Sequence, residues 1–100
     1  MKTYRVLFTE HAEADFDDIS DFIAADNPRR ALSFVTELQE RSIAFLSATP
    51  NAGTRVGEQR FAVFGRYVAV YHVDDEERIV TVMIVSEGHR DWKKLLKDRT

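Results

Sequence analysis

From Tyr4 the chain alternates: Tyr4, Val6 and Phe8 are apolar, while Arg5 and Thr9 are polar. That period of two marks a half-buried strand with one wet face. The period then changes. Ala12, Phe16, Ile19, Phe22 and Ile23 fall at helical spacing, with acids filling the opposite face, which predicts an amphipathic helix. Thr9 is placed to cap it, and Glu10 and Glu13 sit near the positive end of its dipole. Asn27-Pro28 breaks the pattern and restarts it, because proline disfavours helical backbone at Asn27 and suits the first position of a new helix. Ala31, Phe34, Val35, Leu38, Phe45 and Leu46 carry this second helix to about Ser47. So tight a joint predicts an antiparallel helix pair.

Thr49-Pro50-Asn51-Ala52-Gly53 is a turn cluster, and the polar stretch to Gln59 reads as a loop. Three strands follow, Arg60–Phe64, Tyr67–Val73 and Ile79–Val85, separated by Gly65 and by the acidic turn Asp74-Asp75-Glu76-Glu77. The last two are apolar on both faces: Val68 and Val70 against Tyr67, Ala69 and Tyr71; then Val80, Val82 and Ile84 against Ile79, Met83 and Val85. That is the pattern of central strands in a covered sheet. After Gly88 a short basic tail, Asp91–Lys97, is weakly helical. The expected class is α+β in the order β-α-α-β-β-β, one domain over residues 1–100. An N-terminal antiparallel helix pair packs on a mostly antiparallel sheet, followed by the basic tail.

The composition supports a folded core: 44% of the 100 residues are apolar and 11% aromatic. The absence of cysteine excludes a disulfide scaffold, a cysteine zinc site and a thiol nucleophile. The longest apolar run, Ile79–Val85 with Thr81 counted within it, is far short of the roughly 20 residues of a membrane span. The opening Met-Lys-Thr-Tyr-Arg leads into a strand pattern and not a signal peptide. A cytoplasmic protein with no membrane partner is expected. The net charge of −3 is unevenly spread: Glu10 to Asp26 holds seven acids and no Lys or Arg, while Gly88 to Thr100 holds five bases and two acids. A uniformly basic nucleic-acid binder does not look like this, and no sequence-specific DNA binding is expected.

Several pieces of the chain resemble one family as an ordered set. They are the opening Tyr-Arg-Val-Leu-Phe-Thr-Glu-His-Ala, Asp-Asp-Ile-Ser-Asp-Phe-Ile-Ala before Asn27-Pro28, and Leu46…Pro50…Gly53. Gly65-Arg66-Tyr67-Val68-Ala69-Val70-Tyr71 and His89-Arg90-Asp91-Trp92 complete it. Together they resemble the RelE/ParE superfamily of toxins from bacterial type II toxin–antitoxin systems, over Tyr4 to Leu96. The resemblance implies two helices against an antiparallel sheet, a cognate antitoxin protein as partner, and one of two activities. RelE-like members cut mRNA on the ribosome; ParE-like members, the plasmid-stabilisation type, inhibit DNA gyrase by binding.

The residues bear on that choice. Metal-free RNA cleavage needs a base, an acid and cations around the phosphorane. Here the candidates are Arg60, Arg66, His89 and Arg90. There is no lysine between Lys2 and Lys93, no tyrosine after Tyr71, and Val68 stands where RelE-like members often have arginine. The cleavage set is incomplete. The strand Arg66-x-x-x-x-Tyr71 and the His89-Arg90-Asp91 ending suit the ParE-like pattern better, and binding needs no proton shuttle. The leading expectation is therefore a gyrase-inhibiting toxin whose target-binding residues are Arg66, His89, Arg90, Asp91 and Trp92. Trp92 is also expected to pack the tail on the sheet with Leu95 and Leu96. The alternatives are a ribosome-dependent mRNA endoribonuclease and a non-toxic antitoxin-binding module. No cofactor or metal is expected: Asp17, Asp18 and Asp21 read as a solvated helix face, and His11, His72 and His89 have no ligand spacing. No serine stands in a nucleophile elbow.

Overall fold

The structure, a computed structural model, describes residues 3–100; Met1 and Lys2, and with them the first step of the reading against a signal peptide, lie outside the described residues. The chain runs β1 (Arg5–Phe8), α1 (Glu10–Ala24), α2 (Pro28–Ala48), a 3₁₀ turn (Pro50–Ala52), β2 (Thr54–Val56), β3 (Gln59–Phe64), β4 (Tyr67–Asp74), β5 (Ile79–Glu87) and α3 (Trp92–Arg99). Both caps act as expected. Thr9 Oγ1 accepts from Ala12 N–H at 3.1 Å, and Asn27 Oδ1 accepts from Arg30 N–H at 3.1 Å.

The sheet order is β1-β5-β4-β3-β2. The helix hairpin carries the chain from one edge of the sheet to the other, and an antiparallel meander brings it back beside β1. β1 therefore meets β5 parallel, the one parallel pair among the described strands. This is the expected α+β fold with one addition. The stretch expected as a loop before Gln59 holds the short strand β2, whose Thr54–Val56 pairs with Gln59–Phe61 across the Gly57 turn. Its three residues carry little hydrophobic periodicity, and pairing with β3 alone makes them a strand.

The two faces of the sheet have separate cores. On the hairpin side Phe16, Leu38 and Leu46 pack against Phe64, Tyr71, Val80 and Val82. On the other side Trp92 covers Val68, Val70 and Ile84, with Leu95 and Leu96 beside it. The tail is thus an ordered helix and not a weakly helical stretch: Asp91 Oδ1 caps it at Lys94 N–H, 3.2 Å away, and Trp92 is 8% exposed. The strict alternation expected for Ile79–Val85 also fails at one point. Val70 pairs with Ile84 but Tyr71 with Val82, leaving Met83 as an extra residue. This bulge turns Val85 to the hairpin side with Val82, and Ile84 to the α3 side with Met83.

Tyr71 closes the far end of the sheet. Its buried hydroxyl donates to the Pro50 carbonyl at 2.7 Å. A Cβ on Gly53 would collide with that hydroxyl and stand 2.9 Å from the Phe61 carbonyl oxygen. Gly53→Ala is expected to lower the melting temperature sharply; an unchanged value means the turn has room that this packing denies. A second prediction concerns the lone tryptophan, whose ring centroid lies 4.9 Å from that of Phe61. Its emission should be blue-shifted in the free protein, and Trp92→Ala should cost about 3–5 kcal/mol. A water-like emission maximum, with no change in melting point on truncation after Gly88, overturns the packed tail.

Candidate functional site

Two turns meet at one end of the sheet. The β3–β4 turn, Gly65-Arg66, uses a left-handed φ of 63° at Gly65, where glycine pays no steric cost. The β5–α3 turn lies beside it, joined by Gly88 N–H donating to the Arg66 carbonyl at 2.8 Å. Arg90 N–H donates to the Glu87 carbonyl at 3.1 Å, and Trp92 N–H to the Arg90 carbonyl at 2.8 Å. Arg66, His89 and Arg90 therefore stand exposed along a single rim. His89 and Arg90 belong to the turn and not to the last strand, which ends at Glu87. The His89 side chain is 86% exposed, with Nε2 3.7 Å from Glu87 Oε1.

The other named residues are placed differently. The Asp91 carboxylate is taken up as the cap of α3, and the Trp92 ring is turned into the core. Arg60 lies toward the opposite end of the sheet, where its Nη1 donates to the Gly53 carbonyl at 2.8 Å. The structure brings Arg66, His89 and Arg90 together and leaves Arg60 apart from them.

Behind the rim, two cavities share the walls Phe22 and Tyr67. The larger, about 540 Å³, runs between the hairpin and the β3–β4 turn past Phe34, Phe64, Arg41 and Arg66. The smaller, about 280 Å³, is lined by Asp18, Ile19, Ser86, Glu87 and Arg90. Phe22 stands between them, 75% exposed. Arg41 lies over the Phe64 ring at 6.0 Å, and Arg30 over Phe34 at 5.3 Å while pairing with Glu37 at 3.2 Å. Burial pushes the Tyr67 phenol up from its ordinary value, with the Glu87 charge adding and Arg66 opposing; the hydroxyl stays protonated and is a donor. An apolar trough with a cationic rim is suited to seating a polypeptide segment. Among the described residues no group of three or more His, Cys, Asp or Glu is arranged to hold a metal ion, and no helix is long and apolar enough to cross a membrane.

Sequence reasoning missed one pair. Asp15 and Arg99 form a bidentate ion pair, Nη1–Oδ2 at 2.9 Å and Nη2–Oδ1 at 3.0 Å. Asp15 was one acid among six on α1. Its signal was its position: three residues after Ala12 and four before Ile19, on the flank of the apolar stripe and not opposite it.

The far end, around Arg60, is a polar tie. Asp75 Oδ1 accepts from the Tyr4 hydroxyl at 2.5 Å and from Asn51 Nδ2 at 3.2 Å. These bonds join the start of β1, the 3₁₀ turn and the β4–β5 turn.

The family described as "ParE toxin of type II toxin-antitoxin system, parDE" matches residues 6–92. No curated protein matches the sequence. Among solved structures, the chain is similar to one from the chromosomal ParDE toxin–antitoxin system of P. aeruginosa. That match has a TM-score of 0.72 and 21% identity over 84% of this chain and 95% of the other. It is also similar to a chain of the toxin–antitoxin complex RelBE2 of Mycobacterium tuberculosis, with a TM-score of 0.65 and 24% identity over 85% of this chain and 98% of that one. A chain of the intact E. coli RelBE complex gives 0.60 and 20%, over 87% and 99%. At these identities the likeness is one of fold.

The Asp75 tie predicts a pH dependence. The Tyr4 hydroxyl first, then Asn51, hold the Asp75 carboxyl below its ordinary 3.8. A depressed carboxyl stabilises the fold above its unfolded value, and that contribution is lost as pH falls through the folded one. The melting-temperature gap between wild type and Asp75→Ala should stay constant from about pH 7 to pH 5 and shrink below about pH 4. A gap that is unchanged at acid pH removes the tie from the stability of the fold.

Proposed function

The chain belongs to the ParE toxin family of type II toxin–antitoxin systems, and from that membership we propose that it inhibits DNA gyrase by binding and is neutralised by a cognate antitoxin in the cytoplasm. The observation that carries this reading is the Arg66–His89–Arg90 rim, exposed beside the Phe22–Tyr67 trough, with Arg60 held at the other end of the sheet. A cleavage site needs its cations around one phosphate, and the four candidates do not share one place. A binding surface needs only exposed anchors and a seat, and arginine and aromatic side chains are the usual anchors.

The antitoxin is proposed on the same grounds together with the complexes among the similar structures. Its segment is an amphipathic one that covers apolar surface, with charge complementarity guiding its approach. Plasmid stabilisation is the biological role such a pair serves in the family resemblance described above. One feature favours the alternative, mRNA cleavage on the ribosome: Tyr67, whose phenol stays protonated, lines one cavity with Arg66 and the other with Arg90.

Expression in a bacterial host separates the readings. Filamentation with a DNA damage response supports gyrase inhibition; prompt translation arrest with mRNA cuts supports the nuclease; unimpeded growth supports a non-toxic antitoxin-binding module. Co-expression of the neighbouring small open reading frame should restore growth and raise solubility. Arg66→Ala and Arg90→Ala should each weaken target binding by about 1–2 kcal/mol, roughly 5- to 30-fold, with the melting point held. Full toxicity in both variants at normal expression removes the rim from the site.

A further inference from the structure

β5 carries the rim, and its outer edge is only half covered by a strand. β1 pairs with it from Ile79 to Val82, and Thr9 N–H closes that ladder on the Val82 carbonyl at 3.0 Å. There the chain turns into α1 while β5 runs on to Glu87. The backbone groups beyond that point need partners that no neighbouring strand supplies on this side.

Two side chains supply them at Met83 and Val85. Asp15 Oδ2 accepts from Val85 N–H at 2.9 Å, and Arg99 Nη1 donates to the Met83 carbonyl at 2.9 Å. The same two side chains hold each other through the bidentate pair, and they are only 13% and 16% exposed. The extra residue of the β5 bulge, Met83, provides the carbonyl that Arg99 takes. Asp15 comes from α1 in the hairpin layer and Arg99 from the last turn of α3 on the opposite face. The pair thus clasps both layers around the open edge, in the place where β1 would continue.

We infer that Arg99 is a positioning residue for the Arg66–His89–Arg90 rim, acting through Asp15 and Val85. The turn that bears His89 and Arg90 begins at Gly88, three residues beyond Val85, and ends at the buried Trp92, so it is held between the clasp and the α3 core. Its Gly88 amide in turn holds the Arg66 carbonyl. Releasing Val85 frees one end of that chain of bonds. Lysine cannot substitute, since a single ammonium lacks the planar fork that meets both carboxylate oxygens and the carbonyl together.

The functional part of this inference rests on the rim being the toxin's working surface. Backbone amide order parameters test the positioning directly in Arg99→Gln and in the charge-preserving Arg99→Lys. At Gly88, His89 and Arg90 they should fall from about 0.85 to below about 0.6 while Val70 stays rigid. Unchanged values in both variants, with only a lowered melting point, overturn the inference. Growth inhibition adds a second measurement. Arg99→Lys should lose at least tenfold in toxicity at a temperature where it is folded, whereas Tyr4→Phe, which breaks the tie at the far end, should keep it. Equal losses in the two, tracking melting temperature, also overturn it. If the wild-type chain itself does not inhibit growth, the toxin reading fails and the order parameters alone decide the positioning role.

Discussion

A central strand with one incomplete edge is the constraint on which this fold depends. β5 is covered on both faces and paired with β4 along one side except at the Met83 bulge, yet β1 leaves it after Val82. Strand pairing is cooperative because each backbone group left without a partner in a partly buried place costs about 1–3 kcal/mol. Asp15 and Arg99 remove that cost at Met83 and Val85. The ion pair between them is of the kind that stabilises little by charge alone, since desolvation offsets attraction. Its value lies in geometry: a fork and a carboxylate meeting two backbone groups at a fixed spacing, with the Asp15 hydrogen bond pushing the Arg99 guanidinium up from its ordinary value.

The same strand relates core to function. Its hairpin-side residues, Val80 and Val82, belong to one core, and Ile84 belongs to the other. The bulge at Met83 lets one strand serve both, by shifting Val85 to the first face. Past the bulge the strand runs to Glu87 and delivers the turn with His89 and Arg90 next to the Gly65-Arg66 turn. Two arginines and a histidine from two distant parts of the sequence reach one rim because Gly88 and Arg66 share a hydrogen bond. The trough behind them is bounded by α1 through Phe22 and by β4 through Tyr67. Hairpin, sheet and tail all contribute to it.

Charge is partitioned along the same lines. The acids of α1 are mostly left in water, and the bases of the tail sit on α3, so the two faces of the sheet carry opposite signs. Asp15 and Arg99 are the exceptions: each is drawn from its own charged segment into the boundary between the layers. A chain with a net charge of −3 thereby presents a cationic rim at one end, a distribution that selects partners by local field and not by overall charge.

The sequence by itself determined the elements whose periodicity is long. Ala12 to Ile23 and Ala31 to Leu46 define two helices, Thr9 and Asn27 define their starts, and the doubly apolar runs at Tyr67 and Ile79 define central strands. The family resemblance added the expectation that Arg66, His89, Arg90, Asp91 and Trp92 bind the target. Tertiary structure alone decided the rest, and in each case the reason is that the deciding partner is remote in the chain. Thr54–Val56 is a strand only because β3 lies beside it. Ile84 and Val85 exchange faces because Tyr71 pairs with Val82 and not with Met83. Asp15 and Arg99, 84 residues apart, look like ordinary surface charges until the fold places both at the one stretch of β5 that no strand covers.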